Sequence, residues 1–354
     1  MFNAVISLCE KHGFLKKIKL EQLKVGPTGC LLMQNLKNEW FHNTVTNKDI
    51  SVFLSDNNDF RETLEFAKNM CLDRLPFGIA EIINTKSSAQ EFLDYYTEKA
   101  KDNIDFQNLF GNDRVTLKCT IFTAPSESIP FFHQWQRHRR IWWRKFSPNP
   151  GIYSLSDIKT DNNNIQSVQI MANYPWGSQL IESLALYPKP KGIIDHKFKF
   201  GKKSLSPHTV VSNIDMSSMF INTLCDAYAE PEYKDTKRTL LRFHRKLAPY
   251  SISFSIASGL PAGVSTELND LALYLTRQLR TKHVSTLFLP SSSKLSLDAQ
   301  WRQYDELGIP YGVLLNEKTL KDGLVLLRSR DTTLKEQVHV TDLVSYVEQL
   351  FKNY

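Results

Sequence analysis

This sequence of 354 residues lacks most of the features that would assign a chemistry to it. Its five cysteines are scattered and odd in number, and no Cys-x-x-Cys pair or histidine cluster has metal-ligand spacing, so neither a disulfide framework nor a metal site is predicted. No glycine-rich, phosphate-cradling loop stands at a predicted strand–helix junction, and we expect no cofactor. No apolar run approaches the length of a bilayer span, which excludes a transmembrane helix and predicts no membrane partner.

What the sequence does contain is the composition of a globular protein with an excess of positive charge. Hydrophobic residues make up 42% and charged residues 23%, which are ordinary values for a folded chain. The length suffices for two domains. The 44 lysines and arginines outnumber the 37 acidic residues and give a net charge of +7. This balance favours an acidic partner, of which nucleic acid is the first candidate.

Aromatic and cationic side chains are most concentrated in residues 131–146, Phe-Phe-His-Gln-Trp-Gln-Arg-His-Arg-Arg-Ile-Trp-Trp-Arg-Lys-Phe. At about 100° per residue a helix separates them into an aromatic arc and a cationic arc. Arg139 falls within the aromatic arc, where a buried guanidinium must be paired or hydrogen-bonded. The helix is either a core element with a solvated basic back, which the pattern favours, or an anchor that offers cations to a polyanion.

Two further stretches are basic. Residues 186–206 are loop-like and interleave lysines with Phe198 and Phe200. This pattern suits contact with a phosphate backbone or unstacked bases, and it suits a solvated loop equally well.

Residues 234–246 are predicted to be a basic helix that ends at Leu247. We place the domain boundary there, between residues 1–247 and residues 248–354. In the second domain, the order β-α-β-α-β-β-α predicts a mixed sheet flanked by helices.

This C-terminal part resembles the anticodon-binding domain of class II aminoacyl-tRNA synthetases at residues 247–250 (Leu-Ala-Pro-Tyr), 308–311 (Gly-Ile-Pro-Tyr) and 327–332 (Leu-Arg-Ser-Arg-Asp-Thr). Earlier segments are similar to glycyl-type members of that class, at residues 26–29 (Gly-Pro-Thr-Gly) and 75–80 (Leu-Pro-Phe-Gly-Ile-Ala). The resemblance implies an α/β (α+β) fold, in which a synthetase-like antiparallel sheet domain precedes the anticodon-binding-like domain. It also implies that Arg139, Trp135, Trp142 and Trp143 are buried structural residues.

The catalytic motifs of that class are missing. Residues 83–88 are Ile-Asn-Thr-Lys-Ser-Ser where the glycyl-type pattern has Phe-Arg-Asn-Glu, and residues 115–118 contain no Arg-x-Glu. Ser218 stands where the third motif has an arginine. Because amino-acid activation needs arginines on the phosphates of ATP, these losses predict that the chain is not an enzyme.

A family that combines this scaffold with lost catalytic motifs is the accessory subunit of mitochondrial DNA polymerase, of the gamma type. The chain resembles it in residues 137–139 (Arg-His-Arg), 142–146 (Trp-Trp-Arg-Lys-Phe) and 326–333 (Leu-Leu-Arg-Ser-Arg-Asp-Thr-Thr). The resemblance implies a non-catalytic processivity factor in the mitochondrial matrix and nucleoid. Its partners would be the catalytic subunit and primer–template or double-stranded DNA.

The same resemblance bears on stoichiometry and on contacts. Vertebrate members carry an inserted helical hairpin through which they dimerise, and the segment between Trp40 and Leu75 is too short for it. A one-to-one complex is therefore expected rather than a homodimer.

Each candidate contact with DNA or the partner has an alternative as a solvated charge or local ion pair, such as Arg330 with Asp331. The candidate DNA or partner contacts are Arg137, Arg140, Arg144, Lys145, Lys197, Lys199, Lys202, Lys203, Arg328, Arg330 and Lys335.

Two other functions remain open from the sequence. A divergent glycyl-tRNA synthetase with displaced motifs would be an enzyme. A non-catalytic tRNA- or RNA-binding regulator on the same scaffold would share the basic charge and lack the chemistry.

Overall fold

The computed structural model describes residues 1–18, 22–55, 59–86, 106, 109–110, 113–189, 197–233, 236–289 and 294–352. Its contacts define two compact units, each built from separate stretches of the chain. We call residues 1–15, 25–35 and 224–354 the terminal unit, and residues 16–24 and 36–223 the large-sheet unit. The boundary expected after Leu247 stays a prediction.

Helices in the described residues are amphipathic rather than uniformly apolar, and none has the length and apolar content that a membrane crossing requires. A π-helix at His42–Thr46 and a 3-10 turn at Pro150–Ile152 accompany them. The α-helices are α1 (Phe2–Lys11), α2 (Pro27–Phe41), α3 (Phe60–Met70), α4 (Ser128–Lys145), α5 (Met216–Ala227), α6 (Ala262–Thr281), α7 (Leu297–Glu306), α8 (Glu317–Asp322) and α9 (Val340–Lys352).

The strands form two main sheets and several short hairpins. They are β1 (Leu15–Lys17), β2 (Leu23–Val25), β3 (Val52–Ser55), β4 (Phe77–Lys86), β5 (Asp113–Thr123), β6 (Tyr153–Leu155), β7 (Lys159–Thr160), β8 (Gln166–Tyr174), β9 (Gly177–Tyr187), β10 (Phe198–Phe200), β11 (Lys203–Leu205), β12 (His208–Asp215), β13 (Tyr228–Ala229), β14 (Glu232–Tyr233), β15 (Thr236–Lys237), β16 (Leu240–Leu241), β17 (Ile252–Ile256), β18 (Thr286–Leu287), β19 (Tyr311–Leu315), β20 (Leu324–Ser329) and β21 (Lys335–His339).

The large sheet has eight strands in the order β3-β4-β5-β12-β9-β8-β6, with β7 also paired to β8. Only the β3–β4 pair among them is parallel, and the other pairs are antiparallel. This confirms the predicted antiparallel sheet domain.

Alternation along the strands gives the large sheet two distinct faces. Ser212 on β12 lies opposite Cys119 on β5 and faces α4, since its hydroxyl reaches Glu182, the carboxylate bound by Arg139 of that helix. We call this the helix face. The neighbouring side chains point the other way, onto what we call the far face. Part of the far face is covered by α3 and β10, which form an apolar cluster with the buried rings of Phe77 and Phe122.

In the terminal unit, five strands form a mixed sheet in the order β18-β17-β19-β20-β21. The strand β17 is parallel to both β18 and β19, whereas β19, β20 and β21 are antiparallel. Leucines on one face of α6 and apolar residues of α9 pack into its core. The predicted mixed sheet is therefore confirmed. The short helix α8 and the strand β21 were not predicted.

The basic helix predicted over residues 234–246 is wrong for the described part of that segment. Residues 236–250 contain the short strands β15 and β16 and no helix. Leu240 and Leu241 are both buried, and β16 pairs with β13 at Tyr228. The helix-like spacing of the cations has another cause, because Arg238 and Arg245 bind acceptors within the terminal unit.

Candidate nucleic-acid interface

Helix α4 is held against the large sheet by the buried side chains of its aromatic arc. Ser128 opens the helix and donates from its hydroxyl to the carbonyl oxygen of Pro125 at 2.9 Å. The arc that packs on the helix face of the large sheet holds Phe132, Trp135, Trp142 and Trp143, all buried. Burial of these large rings supplies the apolar energy that holds the helix in place.

Arg139 lies in the middle of this arc with 1% of its side chain exposed. Its Nε donates to Glu182 at 2.7 Å, and its guanidinium carbon lies 4.4 Å from the ring centroid of Trp142. The Glu182 carboxylate also accepts from Trp143 Nε1 at 2.7 Å and from the Ser212 hydroxyl at 2.6 Å. Three donors thus surround one fully buried carboxylate, which makes Arg139 a structural residue.

The opposite side of α4 is basic. Arg137, Arg144 and Lys145 are exposed, and Arg140 is half-buried. No acidic residue occurs in α4, and none of the four cations forms an ion pair with any residue that the structure describes. We call these four residues the α4 basic face. Unpaired cations on a rigid helix are suited to contact with nucleic-acid phosphates, which fix position without reading sequence.

The lysines of the second basic stretch lie on and beside a hairpin of β10 and β11. Gly201 forms its turn with φ of 61°, in the left-handed region that glycine adopts without strain. Lys197, Lys202 and Lys203 are exposed, while Lys199 pairs with Asp73 at 3.3 Å. We call this the basic hairpin.

The basic hairpin and the α4 basic face lie on opposite sides of the large sheet. Phe198 of β10 packs on the far face against Phe77, at 5.7 Å between ring centroids. Helix α4 covers the helix face. The structure therefore does not bring these two predicted clusters onto one surface.

Arg328 is not an exposed contact, contrary to its place among the candidates. Its side chain is 8% exposed and forms two hydrogen bonds with Asp305, each of 3.0 Å. Arg238 binds the same carboxylate at 2.6 Å. A guanidinium engaged in this way serves the interior of the terminal unit, so Arg328 leaves the set of candidate DNA contacts.

Arg330 is likewise a structural residue rather than a surface contact. It is 3% exposed and donates to the carbonyl oxygens of Gly308 at 2.8 Å and Phe243 at 3.0 Å. Its Nε also donates to Asp331 at 3.1 Å, which is the local pair considered as its alternative. Lys335 remains exposed, with its ammonium 4.3 Å from the ring centroid of Trp301.

The position at which the third motif has an arginine is occupied here by Ser218, which lies near the start of a helix. Ser218 is fully buried, and its backbone N–H donates to the carboxylate of Asp215 at 2.8 Å, at the start of α5. Burial raises the pKa of Asp215, against the opposing effect of the hydrogen bonds from Ser218. This contact caps a helix and leaves a serine where phosphate chemistry would need a cation. Ser87 and Ser88, in the altered second motif, lie outside the described residues.

Comparison with known proteins gives two kinds of similarity. The "Anticodon binding domain" family model matches residues 257–350. The chain is 31% identical over 301 residues to "DNA polymerase subunit gamma-2, mitochondrial" of Xenopus laevis, covering 80% of the chain and 62% of that relative. It is 30% identical over 262 residues to the Drosophila melanogaster protein of the same description, covering 70% of each. It is also 24% identical over 312 residues to a glycine–tRNA ligase of Borreliella burgdorferi, covering 84% of the chain and 64% of that relative.

Proposed function

The chain belongs to the DNA polymerase subunit gamma-2 family, and we propose that it is a non-catalytic accessory subunit of a mitochondrial DNA polymerase. The observation that carries this proposal is the match to the Drosophila relative, which covers 70% of both chains at 30% identity. Two relatives are described as mitochondrial, which supports a mitochondrial location, with the matrix and its nucleoids as the compartment that holds the DNA.

In this role the protein binds the polymerase catalytic subunit and strengthens its hold on primer–template DNA. Processivity is the ratio of extension to dissociation, and about 1.4 kcal/mol of added binding energy slows release tenfold. No covalent step is required of this chain. Its contribution is cations on a rigid scaffold, for which the α4 basic face offers the best-defined set.

We propose a one-to-one complex with the catalytic subunit. The described residues between α2 and β4 contain one π-helical turn, the strand β3 and the single helix α3 of 11 residues. That content leaves no room for the two packed helices through which vertebrate members are expected to dimerise. Light scattering after size-exclusion chromatography measures the mass of the full chain, alone and with the catalytic subunit. A dimeric mass for the chain alone would overturn the proposed one-to-one stoichiometry.

The function is tested by primer extension with the catalytic subunit of the same organism. Trap DNA limits each polymerase to one binding event, and reactions with and without this protein are compared at moderate salt. Longer products in its presence are expected, because it slows dissociation rather than chemistry. Unchanged product length would overturn the proposal.

The altered synthetase motifs leave one rival to measure directly. The similarity to glycine–tRNA ligase extends over 84% of the chain, so amino-acid activation is the reaction to examine. Glycine-dependent exchange of pyrophosphate into ATP reports that step without requiring tRNA. We expect no exchange, since Ser218 and residues 83–85 supply no arginine for the phosphates. Measurable exchange would favour the enzyme.

A further inference from the structure

Ile141 is an exposed apolar side chain in the middle of the α4 basic face. It is 61% exposed, although Trp142 and Trp143, which follow it in the helix, are buried. A single exposed isoleucine is ordinary on a protein surface and indicates nothing by itself. The residues that surround this one give it a specific chemistry.

The helical neighbours of Ile141 are all basic. Side chains three and four positions away on a helix lie next to a given residue, within about 60° of it around the axis. For Ile141 they are Arg137, His138, Arg144 and Lys145, all exposed. Partial burial lowers the pKa of His138 from its ordinary 6.5, so near neutral pH the charge comes from the two arginines and the lysine.

These charges are available and symmetrically placed. Neither the arginines nor Lys145 form an ion pair with any residue in the described ranges. At 1.5 Å per residue, they lie about 4–6 Å before and after Ile141 along the helix axis. Because buried tryptophans and the Arg139–Glu182 pair hold α4 in place, an apolar group projects from a rigid element with cations on both sides of it.

Three kinds of polyanion carry the charge that this face attracts, and they differ in what they need from the apolar group. Single-stranded nucleic acid is bound by stacking of its bases on aromatic rings, which isoleucine does not provide. An anionic membrane takes up the wide apolar face of an amphipathic helix rather than one side chain. Duplex DNA is different, since minor-groove proteins insert single apolar side chains, isoleucine among them, between base pairs.

We propose that Ile141 inserts between two base pairs of duplex DNA from the minor groove, while Arg137, Arg144 and Lys145 bind the phosphates on either side. This inference rests on the proposed function and adds a mode of contact to it. Insertion unstacks and kinks the duplex, at a cost that depends on the base step. Pyrimidine–purine steps, which unstack most easily, are therefore the preferred sites.

The test detects unstacking directly. The full chain, without the polymerase, is titrated into a short duplex whose central TpA step carries 2-aminopurine in place of adenine. The fluorescence of 2-aminopurine rises when the base is unstacked, and we expect a saturable rise. A duplex with the probe in a stiff A-tract should give a smaller rise at equal occupancy.

Failure of this test is distinguishable from failure of the proposed function. No rise at saturating protein overturns insertion, whether or not the duplex is bound. Longer products in primer extension would still be expected then, because they require only that the complex holds the DNA for longer.

Ile141→Ala removes the inserted group without changing charge. It should abolish the rise in fluorescence and weaken binding of the TpA duplex about threefold or more. The slope of log affinity against log salt should stay that of the wild type, since no phosphate contact is lost. Ile141→Leu keeps an apolar side chain and should keep the rise.

Ile129→Ala is the matched control on the same helix. Ile129 is 49% exposed, and no lysine or arginine lies three or four positions from it. This variant should keep the fluorescence rise and the affinity of the wild type. Equal losses in both alanine variants, or a full rise in Ile141→Ala, would overturn the proposal.

Vesicles that contain phosphatidylglycerol examine the membrane alternative with the same variants. We expect no binding of the full chain that depends on Ile141. Sedimentation with these vesicles that Ile141→Ala abolishes, together with unchanged 2-aminopurine fluorescence in the wild type, would assign the face to a membrane and overturn insertion into DNA.

Discussion

Arg139 and Glu182 form a fully buried ion pair on the helix face of the large sheet, with 2.7 Å between Nε and Oε1 and side-chain exposures of 1% and 0%. The two residues are 43 positions apart in sequence. A charge inside a ring of tryptophans is tolerated only because this carboxylate meets it. The pair ties α4 to β9, and through Ser212 to β12, so it positions the helix that carries the α4 basic face.

Replacing Arg139 with leucine should therefore destabilise the large-sheet unit strongly. The variant leaves the Glu182 carboxylate buried without its cation, a change that typically costs about 3–5 kcal/mol. Urea unfolding followed by tryptophan fluorescence, to which Trp142 and Trp143 of α4 contribute, measures the loss of stability. Arg140→Leu on the same helix is the control, since Arg140 forms no ion pair with a described residue and should stay within about 1 kcal/mol of the wild type.

The double variant Arg139→Met with Glu182→Met tests whether the pair acts as a unit. Removing both charges leaves no unpaired ion, so its loss should be clearly smaller than the sum of the two single losses. Additive losses would show that the pair makes no energetic contribution of its own.

Periodicity in the sequence predicted helices better than it predicted which side chains contact each other. The aromatic arc and the cationic arc of α4 follow from helical periodicity, and both were found where the sequence placed them. The same periodicity gave a wrong prediction at residues 234–246. The cations there are regularly spaced, but they do not lie on a solvated helix face. Arg238 and Arg245 are spaced by the acceptors that they meet in the folded unit, and those acceptors are distant in sequence.

Two of the eleven candidate contacts, Arg328 and Arg330, are buried for the same reason. Arg328 was counted with the surface cations because nothing in residues 324–336 indicates that it pairs with a distant, buried carboxylate. Its partner Asp305 is 23 residues away on α7, and the same carboxylate also binds Arg238. Sequence alone gives the charge of a side chain, whereas its exposure depends on tertiary packing that brings distant carboxylates into contact with it.

Gly308, at the start of the Gly-Ile-Pro-Tyr string, is a glycine whose replacement should be costly in the terminal unit. Its φ is +74°, and a Cβ there would lie 2.3 Å from a ring carbon of Phe243. Gly308→Ala should cost more than about 3 kcal/mol, since left-handed backbone strain adds to overpacking. The midpoint of urea unfolding, with the slope checked for constancy, gives the value.

Gly259→Ala provides the matched comparison. Gly259 has a φ of +79°, and no atom of the described residues lies within 4 Å of a Cβ placed on it. Only backbone strain remains, and a loss of about 1–2 kcal/mol is expected. If both alanine variants lose the same stability, contact with Phe243 contributes nothing.

Stability of the terminal unit should fall on mild acidification because of His12. Its Nε2 lies 2.6 Å from Glu306, and its side chain is 7% exposed. Burial lowers the pKa of His12 below its ordinary value of 6.5, although Glu306 opposes the shift. The folded protein then binds fewer protons than the unfolded chain, so this contribution is complete above pH 6.5 and is lost as pH falls through the folded pKa.

Glu306 acts in a lower range of pH. Burial raises its pKa, but the hydrogen bonds from Lys11 and His12 outweigh that effect and leave the pKa below the ordinary 4.5. Its stabilisation is therefore lost only as pH falls below that value. Comparing melting temperatures at about pH 7.5 and about pH 5.5 avoids the pH range in which Glu306 titrates. The drop between them should be smaller in His12→Gln than in the wild type, and unchanged in Lys11→Met. An equal drop in His12→Gln would assign the titration to other groups.

The α4 basic face makes a prediction about salt. Each phosphate contact that is lost should reduce the slope of log affinity against log salt by about 0.9 for duplex DNA. Arg137→Ala combined with Arg144→Ala should therefore flatten the slope by about 1.8 and weaken binding at low salt, with little dependence on DNA sequence. Anisotropy of a labelled primer–template titrated with the full chain at several salt concentrations measures both quantities.

The matched control removes two arginines elsewhere. Arg277 on α6 and Arg302 on α7 are exposed, and Arg277→Ala with Arg302→Ala changes the net charge by the same amount. If phosphates lie against α4, this control keeps the wild-type slope while the α4 variant does not. If both double variants lose the same slope, the DNA responds to the overall charge of the protein, and the α4 basic face is a solvated helix surface rather than an interface.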